Sequence, residues 1–283
     1  MIARVLTFLL AVLMGVPLCM AQGKSEIAES EYFLLVERAD SAIAKEDYTL
    51  AIDFLQKAMR LEPSNPSNIL LLSNTGMLQY YSGMDSLAIS TLNMAHEMAP
   101  SSVTVLLNRA RVNAGIGNPS GALADYTLVT QLDSTLIDPW IQRGILQLRG
   151  GDVRGAEASL EKAASIEPDS RETFVAFALL YSRTNRPSEA IPFLNKLIKK
   201  EPMAEYYAER ALCRIATDDL SGASSDIGEG LILDPDNPDL YVARSLLNKK
   251  RFREKDSQND AKEAIIRGAN PEYLKALGIR IDK

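Results

Sequence analysis

The residues able to do chemistry are few. The 283-residue chain has one histidine, His96, and two cysteines, Cys19 and Cys213. A nucleophile needs a base within hydrogen-bond reach, and a zinc site needs three or four His, Cys or carboxylate ligands. His96 stands in an alanine- and methionine-rich stretch with neither kind of partner nearby in sequence. No H-E-x-x-H pair and no glycine-rich phosphate loop occurs. Acid pairs of the kind that hydrolyse glycosides must be set apart by their environment, and the 37 Asp and Glu residues are instead scattered through polar positions. The sequence therefore offers no catalytic residue, no metal ligand and no cofactor site, and the expectation is a protein that is not an enzyme.

What the sequence does offer is order. In Ile137 to Asp169, Trp140, Gly144 and Leu148 recur at helical spacing, Gly150-Gly151-Asp152 interrupts the pattern, and Ala156, Leu160 and Ala163 resume it until Pro168. This reads as two short amphipathic helices joined by a tight turn. The pattern repeats. A small residue recurs at Ala51, Ala88, Ala122, Ala156, Ala190, Ala223 and Ala261. Four residues after each stands Leu55, Leu92, Tyr126, Leu160, Leu194, Ile227 or Ile265. Twelve residues before six of them stands Ala39, Gly76, Ala110, Gly144, Ala178 or Ala211. Small residues let two antiparallel helix backbones approach, and the large ones fill the space towards the next pair.

Seven such units in phase resemble the tetratricopeptide repeat (TPR) family. The resemblance implies an all-α fold: a right-handed α-solenoid of about seven helix-turn-helix repeats at 32–65, 69–102, 103–136, 137–170, 171–203, 204–237 and 238–271, read as one domain. A C-terminal capping helix follows over 272–283, with Tyr273, Leu274, Leu277 and Ile281 facing the last repeat. The seventh unit departs from the rest. Ser245 precedes Ala261 by sixteen residues rather than twelve, which predicts a first helix or turn longer by about one helical turn.

Residues 1–21 read as a secretory signal peptide: Arg4, a largely apolar run from Val5 to Leu18, then Cys19-Met20-Ala21 before Gln22. The alternative is a lipoprotein acylated at Cys19, against which Leu18 stands where a small residue is required. Residues 22–31 form a polar lead-in. Removal of the signal would leave Cys213 as the one cysteine, read as a buried small apolar residue. The formal net charge of −6 gives no support for nucleic-acid binding. The local exception is Lys249, Lys250, Arg251 and Arg253, a candidate contact with a membrane surface or an acidic partner.

Arg38, Arg109, Arg143, Arg210 and Arg244 each precede a small residue of a first helix, and Asp125 and Asp226 precede large residues of second helices. Arg109–Asp125 and Arg210–Asp226 are expected as structural ion pairs within repeats. In the TPR family ligands lie on the concave face lined by first helices. The matching positions here include Met77, Tyr80, Arg111, Ile141, Ile145, Arg149, Leu179 and Arg183. They imply an apolar groove with a basic stripe of Arg111, Arg149 and Arg183, suited to an extended peptide carrying an acidic group. The Lys and Asn clamp by which one TPR subset grips a terminal carboxylate has no match in these slots. The function implied is an envelope scaffold or adaptor that binds a protein or peptide. The alternatives are a lipid-anchored assembly factor for outer-membrane or peptidoglycan clients, and a glycan-capture protein. Low aromatic content, at 6%, disfavours the last.

Overall fold

The computed structural model describes residues 31–280; the expectations for the signal peptide, for Cys19 and for Ile281 lie outside them. The described residues are all-helical and fall in two compact units, Met1–Ser134 and Thr135–Lys283. The first unit holds α1 (Glu31–Ile43), α2 (Tyr48–Leu61), α3 (Asn68–Tyr81), α4 (Asp85–Met98), α5 (Val103–Gly115) and α6 (Pro119–Leu132). The second holds α7 (Ile137–Arg149), α8 (Val153–Ile166), α9 (Arg171–Arg183), α10 (Pro187–Lys200), α11 (Ala204–Ala216), α12 (Leu220–Leu233), α13 (Pro238–Lys250), α14 (Glu254–Ile266) and the short α15 (Pro271–Ala276). In each unit, consecutive helices pack as antiparallel pairs.

Local sequence explains where the helices begin and turn. Asp47, Asn118, Asp152 and Asp219 cap second helices by accepting backbone N–H bonds from Leu50, Gly121, Gly155 and Gly222. Between the helices of each pair one residue adopts a left-handed backbone: Glu46, Gly83 and Gly117 in the first unit, then Gly151, Asn185, Asp218 and Phe252 in the second. Glycine meets that demand without strain, and Asn and Asp tolerate it. Phe252, at φ 59° and 96% exposed, gains no packing in return.

The small residues sit where the helices touch. A Cβ added to Gly144 would lie 3.0 Å from Leu160 Cδ2 and 3.2 Å from the Ala156 carbonyl oxygen. One added to Gly76 would lie 2.6 Å from Leu92 Cγ. Their partners Ala88, Leu92 and Ala156 are fully buried, and Leu160 is nearly so. These are the contacts the repeat pattern implies.

The seventh pair corrects one expectation. Neither its first helix nor its turn is longer than the others: α13 and α14 begin at Pro238 and Glu254, the same offset as Ala204 and Leu220 of the pair before. The small residue facing Ser245 is Ser257, not Ala261, and the Ser245 hydroxyl donates to the Ser257 carbonyl at 2.7 Å. Ala261 thus occupies the slot that holds a large side chain in the other repeats. The C-terminal segment supplies the bulk there: Leu274 and Ile279, both buried, cluster with Val242, Ala261 and Ala264. Asn270 caps α15 by accepting from the Glu272 N–H at 2.8 Å. Of the residues expected to cover the last repeat, Leu274 does so and Tyr273 is 43% exposed.

Gly144→Leu is expected to force α7 and α8 apart and lower stability by ~1–3 kcal/mol, an overpacking cost. An unchanged thermal midpoint would remove Gly144 from the helix contact.

Candidate interaction groove

The charged clusters inside the helix pairs are structural. Arg109 grips Asp125 with Nη2 at 2.6 Å and Nε at 3.0 Å. Arg210 grips Asp226 with Nη2 at 2.5 Å and Nε at 3.0 Å. Both pairs form as expected, and both carboxylates are buried. A third escaped the sequence reading because of the misplaced register: Arg244 bonds Asp260 at 2.8 Å, and Asn248 donates to the other oxygen at 2.8 Å. Arg214 adds a second cation on Asp226 at 2.9 Å. At the equivalent slots of other pairs stand Arg143 and Ser159, bonded at 3.0 Å, and Phe177 and Phe193, stacked with centroids 4.6 Å apart. One structural slot is thus filled by ionic, polar or aromatic chemistry, which is what a packing position tolerates and a reactive centre does not.

His96 lies half-buried beside the first of these pairs. Burial first and then the Arg109 cation lower its pKa, with Asp125 and Glu97 acting the other way. Among the described residues no group of three or more His, Cys, Asp or Glu is placed to hold a metal ion.

The positions expected to line a ligand face divide. In the first unit Met77 is 3% exposed and packs on Ala88, Leu92 and Val112, so it is core rather than ligand surface. Tyr80 is half-buried, and its hydroxyl covers Gly115 so closely that a Cβ there would come within 2.0 Å. Arg111 is half-buried near Tyr81. In the second unit Ile141 is 4% exposed and belongs to the main core, with Ile145 packed against it. Ile141 corrects the expectation for the same reason as Met77, because it is buried against neighbouring helices, whereas Ile145 stays half-buried. Arg149 is exposed at the end of α7. Of the eight, Leu179 and Arg183 line one groove among the described residues.

That groove lies wholly in the second unit and encloses about 550 Å³. Leu179, Leu212 and Leu246 line it from equivalent positions of α9, α11 and α13. Tyr273 and Leu277 contribute from the C-terminal segment, and Arg183 and Glu209 bring opposite charges. The Cys213 thiol is buried in the wall, 3.7 Å from the Ser182 hydroxyl. Burial pushes its pKa up to about 11, with the Glu209 carboxylate adding to the rise. Tyr273 is raised by burial and then by Glu209 and Asp239. Sequence reasoning missed Glu209, Cys213 and Tyr273 as lining residues. Leu212 and Leu246 were legible as first-helix positions in phase with Leu179.

The basic cluster is largely spoken for. Lys249 donates to the carbonyls of Leu277 and Gly278, Lys250 pairs with Asp218 at 3.2 Å, and Arg251 donates to the Leu220 carbonyl at 2.9 Å. These side chains hold the C-terminal segment and the adjacent turn. Of the four expected contacts, Arg253 alone has no side-chain partner among the described residues. No helix among the described residues is long and apolar enough to cross a membrane.

Comparison with known proteins bears on the paired helices directly. Two models described as tetratricopeptide repeat match residues 34–65 and 147–213. These stretches are tetratricopeptide repeats. It is 27% identical over 161 residues to the human tetratricopeptide repeat protein 13. That match takes in 55% of this chain, which spans about a fifth (19%) of the human protein's length. A tetratricopeptide repeat protein from Parabacteroides merdae has a solved structure like this TPR chain, with TM-score 0.68 and 26% identity over 87% of this chain and 97% of that one. YrrB, whose structure is described as a TPR protein with an unusual peptide-binding site, shares the fold at TM-score 0.52 and 16% identity, over 66% of this chain and 97% of its own.

Two measurements check the assignments made here. Asp226→Ala leaves Arg210 and Arg214, both largely buried, without their carboxylate and should cost ~3 kcal/mol or more in urea unfolding. Asp53→Ala, which breaks the exposed pair with Lys57, should cost ~1 kcal/mol or less; equal costs would refute the structural role of the buried pair. The Cys213 thiol should resist alkylation at pH 8 in the folded chain and react quickly in denaturant, since only the thiolate attacks. Rapid labelling of the native protein would contradict its burial.

Proposed function

We propose that this TPR protein is a non-enzymatic scaffold or adaptor of the cell envelope, which binds an extended segment of a partner protein in the groove of its second unit. The observation that carries the reading is the groove: leucines presented at equivalent positions by three successive first helices, with Tyr273 and Leu277 of the C-terminal segment beside them. Helix pairs fixed by buried contacts hold that surface in shape before a ligand arrives, so the ordering entropy of association falls mainly on the partner. Export through cleavage after Ala21 completes the proposal. The glycan reading fares worse, because Trp140 and the cluster of Phe174, Phe177, Tyr181 and Phe193 are engaged within the chain. Trp140 carries the Arg143 guanidinium at 4.3 Å, and Phe193 stacks with Phe177 and Tyr181 while Phe174 meets it at a tilt.

The test is capture of partners from an envelope extract by the mature chain, with Leu212→Arg alongside. A partner held by the wild type and lost by the variant, at unchanged thermal stability, is the expected result. Retention in equal amount would rule the groove out. Mass spectrometry of the exported protein should find Gln22 at the N-terminus; an acylated Cys19 would replace soluble export with lipid anchoring.

A further inference from the structure

Within that groove the charges are arranged to select. Glu209 lines it, and Glu205 precedes Glu209 by one helical turn on α11. Two like charges at that spacing repel on a helix surface. Asp239, at the start of α13, lies close enough to Glu205 that its carboxyl is raised, by burial first and by that neighbour second. Tyr273 and Glu209 both line the groove, and the Tyr273 hydroxyl is raised by burial first, then by Glu209 and by Asp239 nearby. None of the three carboxylates takes part in an ion pair among the described residues. The one cation lining the groove, Arg183 on α9, is likewise unpaired there. Glu209 thus sits in an apolar leucine lining with no counter-charge of its own, and Glu205 lies one turn from it on α11.

We propose that the groove takes a segment of a partner protein in which a lysine or arginine lies next to apolar side chains. The apolar residues cover Leu179, Leu212 and Leu246, and the cation is received by Glu209 with Glu205 and Asp239 around it. The inference rests on the groove being the protein-binding surface and specifies what that surface selects. It reverses the charge preference that the basic stripe implied, since Arg149 does not line the groove and Arg183 faces an acidic end. Arg183 sets polarity: it disfavours a second cation at the α9 end, so the basic residue lies towards α11 and α13. A charge in a partly buried groove is screened less by salt than one on an open surface, and its contribution is correspondingly larger.

The experiment is selection of a random-sequence displayed peptide library on the full mature chain, in parallel on Glu209→Lys and Leu212→Arg. Lys or Arg beside Leu, Ile or Phe should be enriched on the wild type. A selected peptide made synthetically should bind Glu209→Lys about tenfold or more weakly, a difference of about 1.4 kcal/mol. Replacing its basic residue by Glu should restore binding to that variant. Peptides that need Leu212 but ignore the sign of residue 209, or that are acidic, would overturn the cation preference and leave the groove standing. Enrichment that survives Leu212→Arg, or no enrichment at all, would overturn the cation preference together with the groove reading. Circular dichroism and the thermal midpoint confirm that each variant is folded.

Discussion

Everything in this molecule depends on how closely two helix backbones can approach. The small residue of a first helix rests on the second helix of its pair, and the large residue one turn further along closes over the contact. At Gly144 the space left for a side chain is tight: a methyl group would lie 3.0 Å from Leu160 and 3.2 Å from the Ala156 carbonyl, so a neighbour would have to give. A pair formed this way still has an apolar stripe that it cannot bury alone, so it must stack on a neighbour. The stacking accounts for Met77 and Ile141. Each sits on a first helix at a position that reads as ligand-facing, yet each is buried against a neighbouring pair.

Beside the close contact lies a second slot that each pair fills in its own way. Arg109 with Asp125, Arg210 with Asp226 and Arg244 with Asp260 fill it with buried ion pairs. Phe177 and Phe193 fill it with stacked rings, and Tyr181 joins them at 5.8 Å. Buried ion pairs stabilise little relative to well-packed apolar replacements of similar volume, because desolvating two charges offsets most of their attraction. The coexistence of both solutions in one chain fits that balance. It also explains why conspicuous charges at regular spacing are poor guides to function here: Arg109, Arg210 and Arg244 are spent inside the pairs.

The paired helices were legible because the constraint that creates them acts on residue size at fixed spacing. The slip at the seventh pair shows the limit of that reading. Ser257 is nearly as small as alanine but polar, so residue size alone points to Ala261 as the contact and to a one-turn insertion that the helices do not contain. The Arg244–Asp260 spacing, identical to that of the other two ion pairs, carried the correct register. The groove was much less legible. Its leucines lie in phase and can be found, but Glu209, Cys213 and Tyr273 become neighbours only when the C-terminal segment packs back on α13 and α14. Which cations are free was hidden for the same reason, since Lys249, Lys250 and Arg251 are consumed by contacts with residues roughly thirty positions away.

A division of labour between positions follows from the pairing. Residues that make the contact are small, buried and interchangeable from repeat to repeat. Of the residues that line the groove, Arg183 is exposed and Glu209 half-buried, while Leu212 and Leu246 are half-buried against the core and Cys213 is buried in it. Substitutions at Arg183 and Glu209 leave the helix pairs intact, so the surface is free to acquire charge and shape suited to one partner. The acidic end of the groove illustrates the point. Three carboxylates without a counter-ion cost the free chain a little electrostatic repulsion, and no packing requirement explains their placement. A ligand that brings a cation relieves that repulsion, whereas an acidic ligand adds to it. The same arrangement therefore favours one class of partner and rejects the other, and it does so with side chains on which the fold scarcely depends.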